Sequence, residues 1–252
     1  MNYLTALWRP RPFLTPEGIE TLNGFVSRTN KRVTRRILDA IPRLKQTQSI
    51  LQDKFTIMVD EDLKDDPYTL LTYEAIAKAD LNIKMVRLSD HGFYRRKWLY
   101  ILHGMETFGK EILWMDALDT VMCAPFTAAE EAFLSGRELV CEWHDWGAKV
   151  LFHEKNGNVV RCYRQPQTSI FLVRGDRLIH RALQSNLDSD QAALTWVLEE
   201  DGIFQDSSLD EFLAYSSRGL FNVTDEAHKD LIFTTCNDLW KPKIFHQRQG
   251  CE

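Results

Sequence analysis

The sequence predicts an α/β protein with a mixed, mainly parallel sheet flanked by helices, as a single domain over 1–252. Three observations predict it. Between Lys54 and Met115, apolar runs of strand length alternate with segments of helical periodicity, and such β-α-β units require parallel strands. The apolar strand Ile112 to Met115 runs into Asp116 and Asp119, at the carboxyl end where α/β sheets bind ligands. Asn156-Gly157-Asn158 lies between two apolar runs, a hairpin signal that brings antiparallel strands into the second half.

Tyr3 to Trp8 reads as a short buried strand, stopped by Arg9-Pro10-Arg11-Pro12 because proline removes a ladder donor. Thr15-Pro16-Glu17 starts a helix toward Arg28, with Thr15 as cap. A second helix, about Lys31 to Leu44, turns Val33, Ile37, Leu38 and Ile41 inward and Lys31, Arg32, Arg35 and Arg36 outward, a face solvation explains first. Lys54 to Val59 is a strand followed by Asp60, Glu61 and Asp62. Pro67 to Ala79 is a helix, Asn82 to Leu88 a strand, and Arg95 to Phe108 a helix leading to the Asp116 strand.

Thr120 to Cys123 forms a second apolar group, followed by a helix about Thr127 to Leu134 and a strand Glu138 to Trp143. The runs Val150 to Phe152 and Val159 to Tyr163 flank the hairpin turn, and Ser169 to Val173 is a further strand. Helices are expected from Asp176 to Gln184 and from about Gln191 to Glu200, with Asp188 and Asp190 at the start of the latter, where Asp caps by default. Leu209 to Leu213, Leu220 to Val223 and Leu231 to Phe233 are short elements of no firm type. The chain closes on the Lys241-to-Gly250 segment, and no linker or repeat divides it.

Composition sets bounds. Hydrophobic residues at 44% and charged residues at 27% are the balance of a folded domain. A net charge of -5 argues against a general nucleic-acid binder, so no nucleic-acid partner is expected. The five cysteines are odd in number and form no Cys-x-x-Cys pair, which favours a reducing compartment. No signal peptide and no membrane-spanning run is found, so a cytoplasmic protein is expected. No Gly-x-Gly-x-x-Gly and no Gly-Lys-Ser/Thr occurs, so a phosphate would be bound through a metal and scattered side chains.

Two carboxylates at a strand end are costly unless a cation meets them, which makes Asp116 and Asp119 candidates for a divalent metal holding a diphosphate. A cap or a closed turn is the plainer alternative. Two carboxylates with one imidazole suit Mn²⁺ or Mg²⁺. The candidate imidazole is His246, which follows Ile244-Phe245 and stands among Lys243, Arg248 and Gly250; an ordinary histidine is the alternative.

The string Leu113 to Cys123, LWMDALDTVMC, resembles the metal-binding strand of GT-A fold glycosyltransferases. Its Asp-x-x-Asp form is closest to the collagen-modifying galactosyl- and glucosyltransferase domains, including that of the lysyl hydroxylases. Lys97, Glu142-Trp143, Thr168-Ser169-Ile170-Phe171-Leu172, Asp190-Gln191 and Lys243-Ile244-Phe245-His246 follow in that family's order. Thr168 and Ile170 stand where the family has the Asn and Gly of Asn-Ser-Gly, and the helical segment between Pro16 and Leu51 has no counterpart.

The resemblance implies a GT-A-like, Rossmann-like fold and a glycosyltransferase, a hexosyltransferase of retaining type. It would move a sugar from a UDP-sugar donor to a glycan, lipid-linked or protein acceptor. It implies Mn²⁺ or Mg²⁺ on Asp116, Asp119 and His246, donor contacts at Thr5, Ala6, Arg9, Lys97, Asp116 and Ala117, and reacting-side roles for Asp188, Asp190 and Gln191. Arg95 or Arg96 could add positive charge at the same oxygens. Residues 1–125 would form the nucleotide-sugar half and 126–252 the acceptor half. A metal-dependent nucleotidyltransferase and a degenerate glycan- or partner-binding domain are the rivals. A phosphatase is excluded by spacing, since Leu118 stands where its acid would be.

Overall fold

The computed structural model describes residues 1–8, 36–65, 67–88, 95–118, 120–135, 137–153, 157–185, 187, 189–202, 209, 213–216 and 244–247. The expected Thr15-to-Arg28 helix, Arg9, Asp119, Asp188 and the short elements at Leu220 to Val223 and Leu231 to Phe233 lie outside them.

Four parallel strands form one side of the main sheet: β1 (Asn2–Leu7), β2 (Phe55–Asp60), β3 (Ile83–Val86) at the edge, and β4 (Glu111–Met115). The helices between them are α1 (36–51), α2 (Pro67–Ala77) and α3 (Arg95–Phe108). After β4 come β5 (Thr120–Met122), α4 (Ala128–Ser135), and the long strands β6 (Leu139–His153) and β7 (Val159–Arg174). Then follow α5 (Arg177–Gln184), α6 (Asp190–Asp201), β8 (Leu213–Ser216) and β9 (Ile244–Gln247). The six-stranded order is β3-β2-β1-β4-β7-β6, with β7 antiparallel to both neighbours. A small second sheet has the order β5-β9-β8. The mixed, mainly parallel α/β sheet expected from the sequence is the one observed.

The central strands are buried on both faces, which is why they read as unbroken apolar runs. Along β1, Leu4 and Ala6 point into a core shared with Trp98, Trp114 and Phe171 and covered by α3, α5 and α6. Tyr3 and Leu7 point into the opposite core, shared with Ile57, Val59, Leu113 and Met115 and covered by helices that include α1 and α4. Among the described residues no helix is long and apolar enough to cross a membrane.

Three local expectations are corrected. Leu38, expected to face inward, is exposed. The second helix continues to residue 51, beyond the expected end at Leu44, because Leu44, Thr47 and Leu51 prolong its buried stripe. The runs Val159 to Tyr163 and Ser169 to Val173 are one strand, β7, with Pro166 inside it. Pro166 pairs only with Trp143 of β6, because β4 leaves β7 after Met115↔Ile170. A proline is tolerated where one edge carries no ladder. The hairpin turn is where the Asn-Gly signal put it, with Gly157 at φ 85, a conformation glycine adopts without penalty.

Candidate functional site

From β1 the chain crosses to β2 and β3 on one side and then returns to β4 on the other side of β1. The switch point lies outside the carboxyl ends of β1 and β4, where open α/β sheets bind ligands. Asp116 is the residue immediately after β4. Its backbone N–H donates to Ser169 O at 2.7 Å, and its own carbonyl accepts from Thr120 N (3.1 Å) and Thr120 Oγ1 (2.8 Å). The turn after the strand is closed by Thr120, and the Asp116 carboxylate is left to act as a side chain.

Lys97, in the first turn of α3, reaches this carboxylate. Its Nζ lies 3.2 Å from Asp116 Oδ1, 2.5 Å from Asp190 Oδ2 and 2.8 Å from Thr168 O. An ammonium has three protons, and these acceptors engage all of them. Lys97 is only 5% exposed. Burial works against its charge, but the charges of Asp116 and Asp190 and their hydrogen bonds outweigh it and hold its pKa above the ordinary lysine value.

Each carboxylate also has a neutral donor. Trp114 Nε1 donates to Asp116 Oδ1 at 2.7 Å, and the Trp114 ring lies 5.8 Å from the Lys97 ammonium. Thr168 Oγ1 donates to Asp190 Oδ2 at 2.8 Å. Among the described residues one ammonium thus bridges two carboxylates.

Asp190 does not cap its helix, correcting the default assignment. Ser189 is the cap and accepts from Ala192 N, while Asp190, buried, turns its carboxylate to Lys97. Gln191 follows in the first turn of α6, half-buried, its carbonyl accepting from Thr195 Oγ1.

Arg95 and Arg96 do not join the cluster. Arg95 donates to Leu183 O, and Arg96 pairs with Asp62, with Asp60 Oδ2 at 3.9 Å. Tyr100 OH donates to Asp60 Oδ2 at 2.5 Å. Burial, then the hydrogen bond and charge of Asp60, push the Tyr100 hydroxyl pKa up. These buried groups tie the start of α3 to the end of β2. The reason for the divergence is angular: consecutive helical residues point about 100° apart, so Arg96 cannot share the direction of Lys97.

Thr5, Ala6 and Ala117 are buried at this end of the sheet. Thr5 Oγ1 has no hydrogen-bond partner among the described residues. Among the described residues no three His, Cys, Asp or Glu side chains gather as a metal site. Of the three expected ligands, Asp116 is placed, Asp119 lies outside the described residues, and His246 is described by its backbone. The antiparallel register of β5 with β9 sets His246 opposite Thr120, next in sequence to Asp119.

Sequence reasoning did not single out Trp114 or the hydroxyl of Thr168 as partners of the carboxylates. Trp114 had a usable signal, since residues two apart on a strand share a face. The Thr168–Asp190 contact had none, because it joins β7 to α6.

No family model and no curated protein matches the sequence significantly. Solved structures resemble it at low identity. The galactosyltransferase LgtC, in complex with donor and acceptor sugar analogues, is 10% identical with a TM-score of 0.47, over 100% of this chain and 88% of that one. The apo-form glycosyltransferase GlyE of Streptococcus pneumoniae TIGR4 is 13% identical with a TM-score of 0.46, over 99% of this chain and 55% of that one. The 4-diphosphocytidyl-2C-methyl-D-erythritol synthase of Anaerococcus prevotii is 15% identical with a TM-score of 0.38, over 77% and 83%. All three TM-scores lie below one half, so the likeness carries no function across.

Proposed function

We propose that the chain is a metal-dependent glycosyltransferase moving a sugar from a UDP-sugar to a glycan, lipid-linked or protein acceptor. The observation that carries this is the convergence of Asp116 and Asp190 on Lys97 at the switch point of the sheet. It joins residues of 1–125, which would be the donor half, to residues of 126–252, which would be the acceptor half.

Asp116 would hold Mn²⁺ or Mg²⁺ together with Asp119 and His246; its partly exposed carboxylate at a strand end suits one ligand of such a set. A metal bound there would neutralise the diphosphate as charge builds on the leaving group. Lys97, with its protons committed, acts through the carboxylates it holds in place. Asp190, with Gln191 beside it and Asp188 just before the helix, would face the sugar and acceptor hydroxyls. Thr5, Ala6, Arg9 and Ala117 would border the nucleotide. No separate general base is assigned, in keeping with a retaining hexosyltransferase.

The test is a thermal-shift panel of UDP, GDP, CDP, ADP and their common sugars, each with and without Mn²⁺. A ligand that binds only the native state raises the midpoint by mass action. UDP or a UDP-sugar should raise it only with Mn²⁺, and Asp119→Asn should remove that shift without unfolding the protein. A flat panel from a well-folded protein would overturn the transferase reading and leave a degenerate binding domain. With CTP and ATP added to the panel, a shift with either but with no diphospho-sugar would favour the nucleotidyltransferase.

A further inference from the structure

Helix α1 lies in the segment that has no counterpart in the resembled family, yet three of its side chains grip the strand that follows Asp116. Arg43 Nη2 donates to Leu118 O at 3.1 Å. Gln46 Nε2 donates to Met122 O at 3.2 Å, and Met122 N–H donates to Thr47 Oγ1 at 3.1 Å. Gln46 and Thr47, three and four residues after Arg43, flank its direction one turn on, so all three lie on one side of α1. Ile37, Ala40, Leu44 and Leu51 anchor the same helix by burial.

These bonds fall at both ends of the segment 118–122. Met122 closes β5, whose other edge is taken by β9. Its backbone N–H donates to Thr47 and its C=O accepts from Gln46. On the near side, Asp116 O is already tied to Thr120. The backbone that follows Asp116 is thus held from α1 at Leu118 and at Met122.

We infer that α1 is a splint for the 116–122 turn, and that Arg43, Gln46 and Thr47 are positioning residues for ligand binding at that turn. The inference rests on the transferase reading for what the turn binds. The splint acts on backbone atoms, so Arg43 sets where the carboxylates stand without touching a ligand.

The test compares wild type, Arg43→Met, Arg43→Lys and the nearly isosteric Thr47→Val by two readouts. One is hydrogen exchange of the peptide covering 116–122. The other is Mn²⁺ affinity of the folded protein, from the free-ion paramagnetic resonance signal. Arg43→Met and Thr47→Val should speed exchange in that peptide and not in β1 or β4. They should weaken Mn²⁺ binding about tenfold, as loss of a group that orients a metal ligand does, and Arg43→Lys should restore part of it. Unchanged exchange overturns the splint. Faster exchange with Mn²⁺ affinity kept overturns the positioning role and leaves α1 as packing alone. If Arg43→Met fails to fold, Thr47→Val decides. Wild type that binds no Mn²⁺ overturns the transferase reading and the positioning role with it, while the exchange data still show whether the turn is held.

Discussion

Lys97 Nζ lies 2.5 Å from Asp190 Oδ2, joining the first turn of α3 to the first turn of α6. Both residues are nearly inaccessible to water, so neither charge can be removed alone at low cost.

Replacing Lys97 with Met should therefore cost about 3–5 kcal/mol of unfolding free energy, the range for breaking a buried pair from one side. The pKa of Lys97 is raised in the folded protein. Its contribution is fully present below the ordinary lysine value of about 10.4 and is lost only as pH rises through the higher folded value. Urea denaturation of wild type and Lys97→Met should give the same difference at pH 7 and pH 9, shrinking only in stronger alkali. A difference that vanished between pH 7 and 9 would show that Lys97 is not held as described.

Trp114→Phe keeps an aromatic ring but removes the N–H that reaches Asp116 Oδ1 at 2.7 Å. A hydrogen bond to a charged group contributes about 1.5–3 kcal/mol, and that is the expected loss in stability. The Mn²⁺-dependent shift with UDP should fall with it, because one oxygen of Asp116 loses its direction. Melting and ligand shift both equal to wild type would refute the role of the indole.

Helix α3 crosses β1 so closely that a Cβ added at Gly104 would sit 2.6 Å from Leu4 Cδ2. Alanine would gain about 0.8–1.0 kcal/mol in helix propensity, but overpacking costs about 1–3 kcal/mol, so Gly104→Ala should destabilise by about 1 kcal/mol. Leu4→Val removes the opposing methyl position. The double variant should be more stable than the sum of the two single losses, as contacting sites are not additive. Strict additivity in denaturant melts would refute the contact.

Arg177 donates to Glu138 from Nε and Nη2, each at 3.0 Å, and from Nη1 to Asp201 at 2.5 Å, but its side chain is 50% exposed. Solvent screens such a network, so Arg177→Met should cost no more than about 1 kcal/mol, and less in high salt. A loss as large as that of Lys97→Met would show that burial is not what separates the two networks.

Much of the fold was legible because the central strands are buried on both faces and their helices on one, which writes distinct periods into the sequence. The site was legible in part. Asp116 at a strand end and Asp190 at a helix start were marked by position, and Lys97 by family order. What Asp190 does there was not marked, since Ser189 and Asp190 are both acceptable caps and only the position of α6 beside Lys97 decides between them.

The sequence by itself determined the β-α-β alternation, the hairpin turn at Gly157 and the Asp116 carboxylate at the end of β4, because each depends on neighbours within a few residues. Only the tertiary structure decided that β7 runs through Pro166, that Arg96 turns to Asp62 while Lys97 turns to Asp116, and that α1 grips Met122. Those outcomes depend on where a strand loses its neighbour, on the angle at which a helix lies on the sheet, and on contacts between residues far apart in the chain. A local pattern carries no record of them.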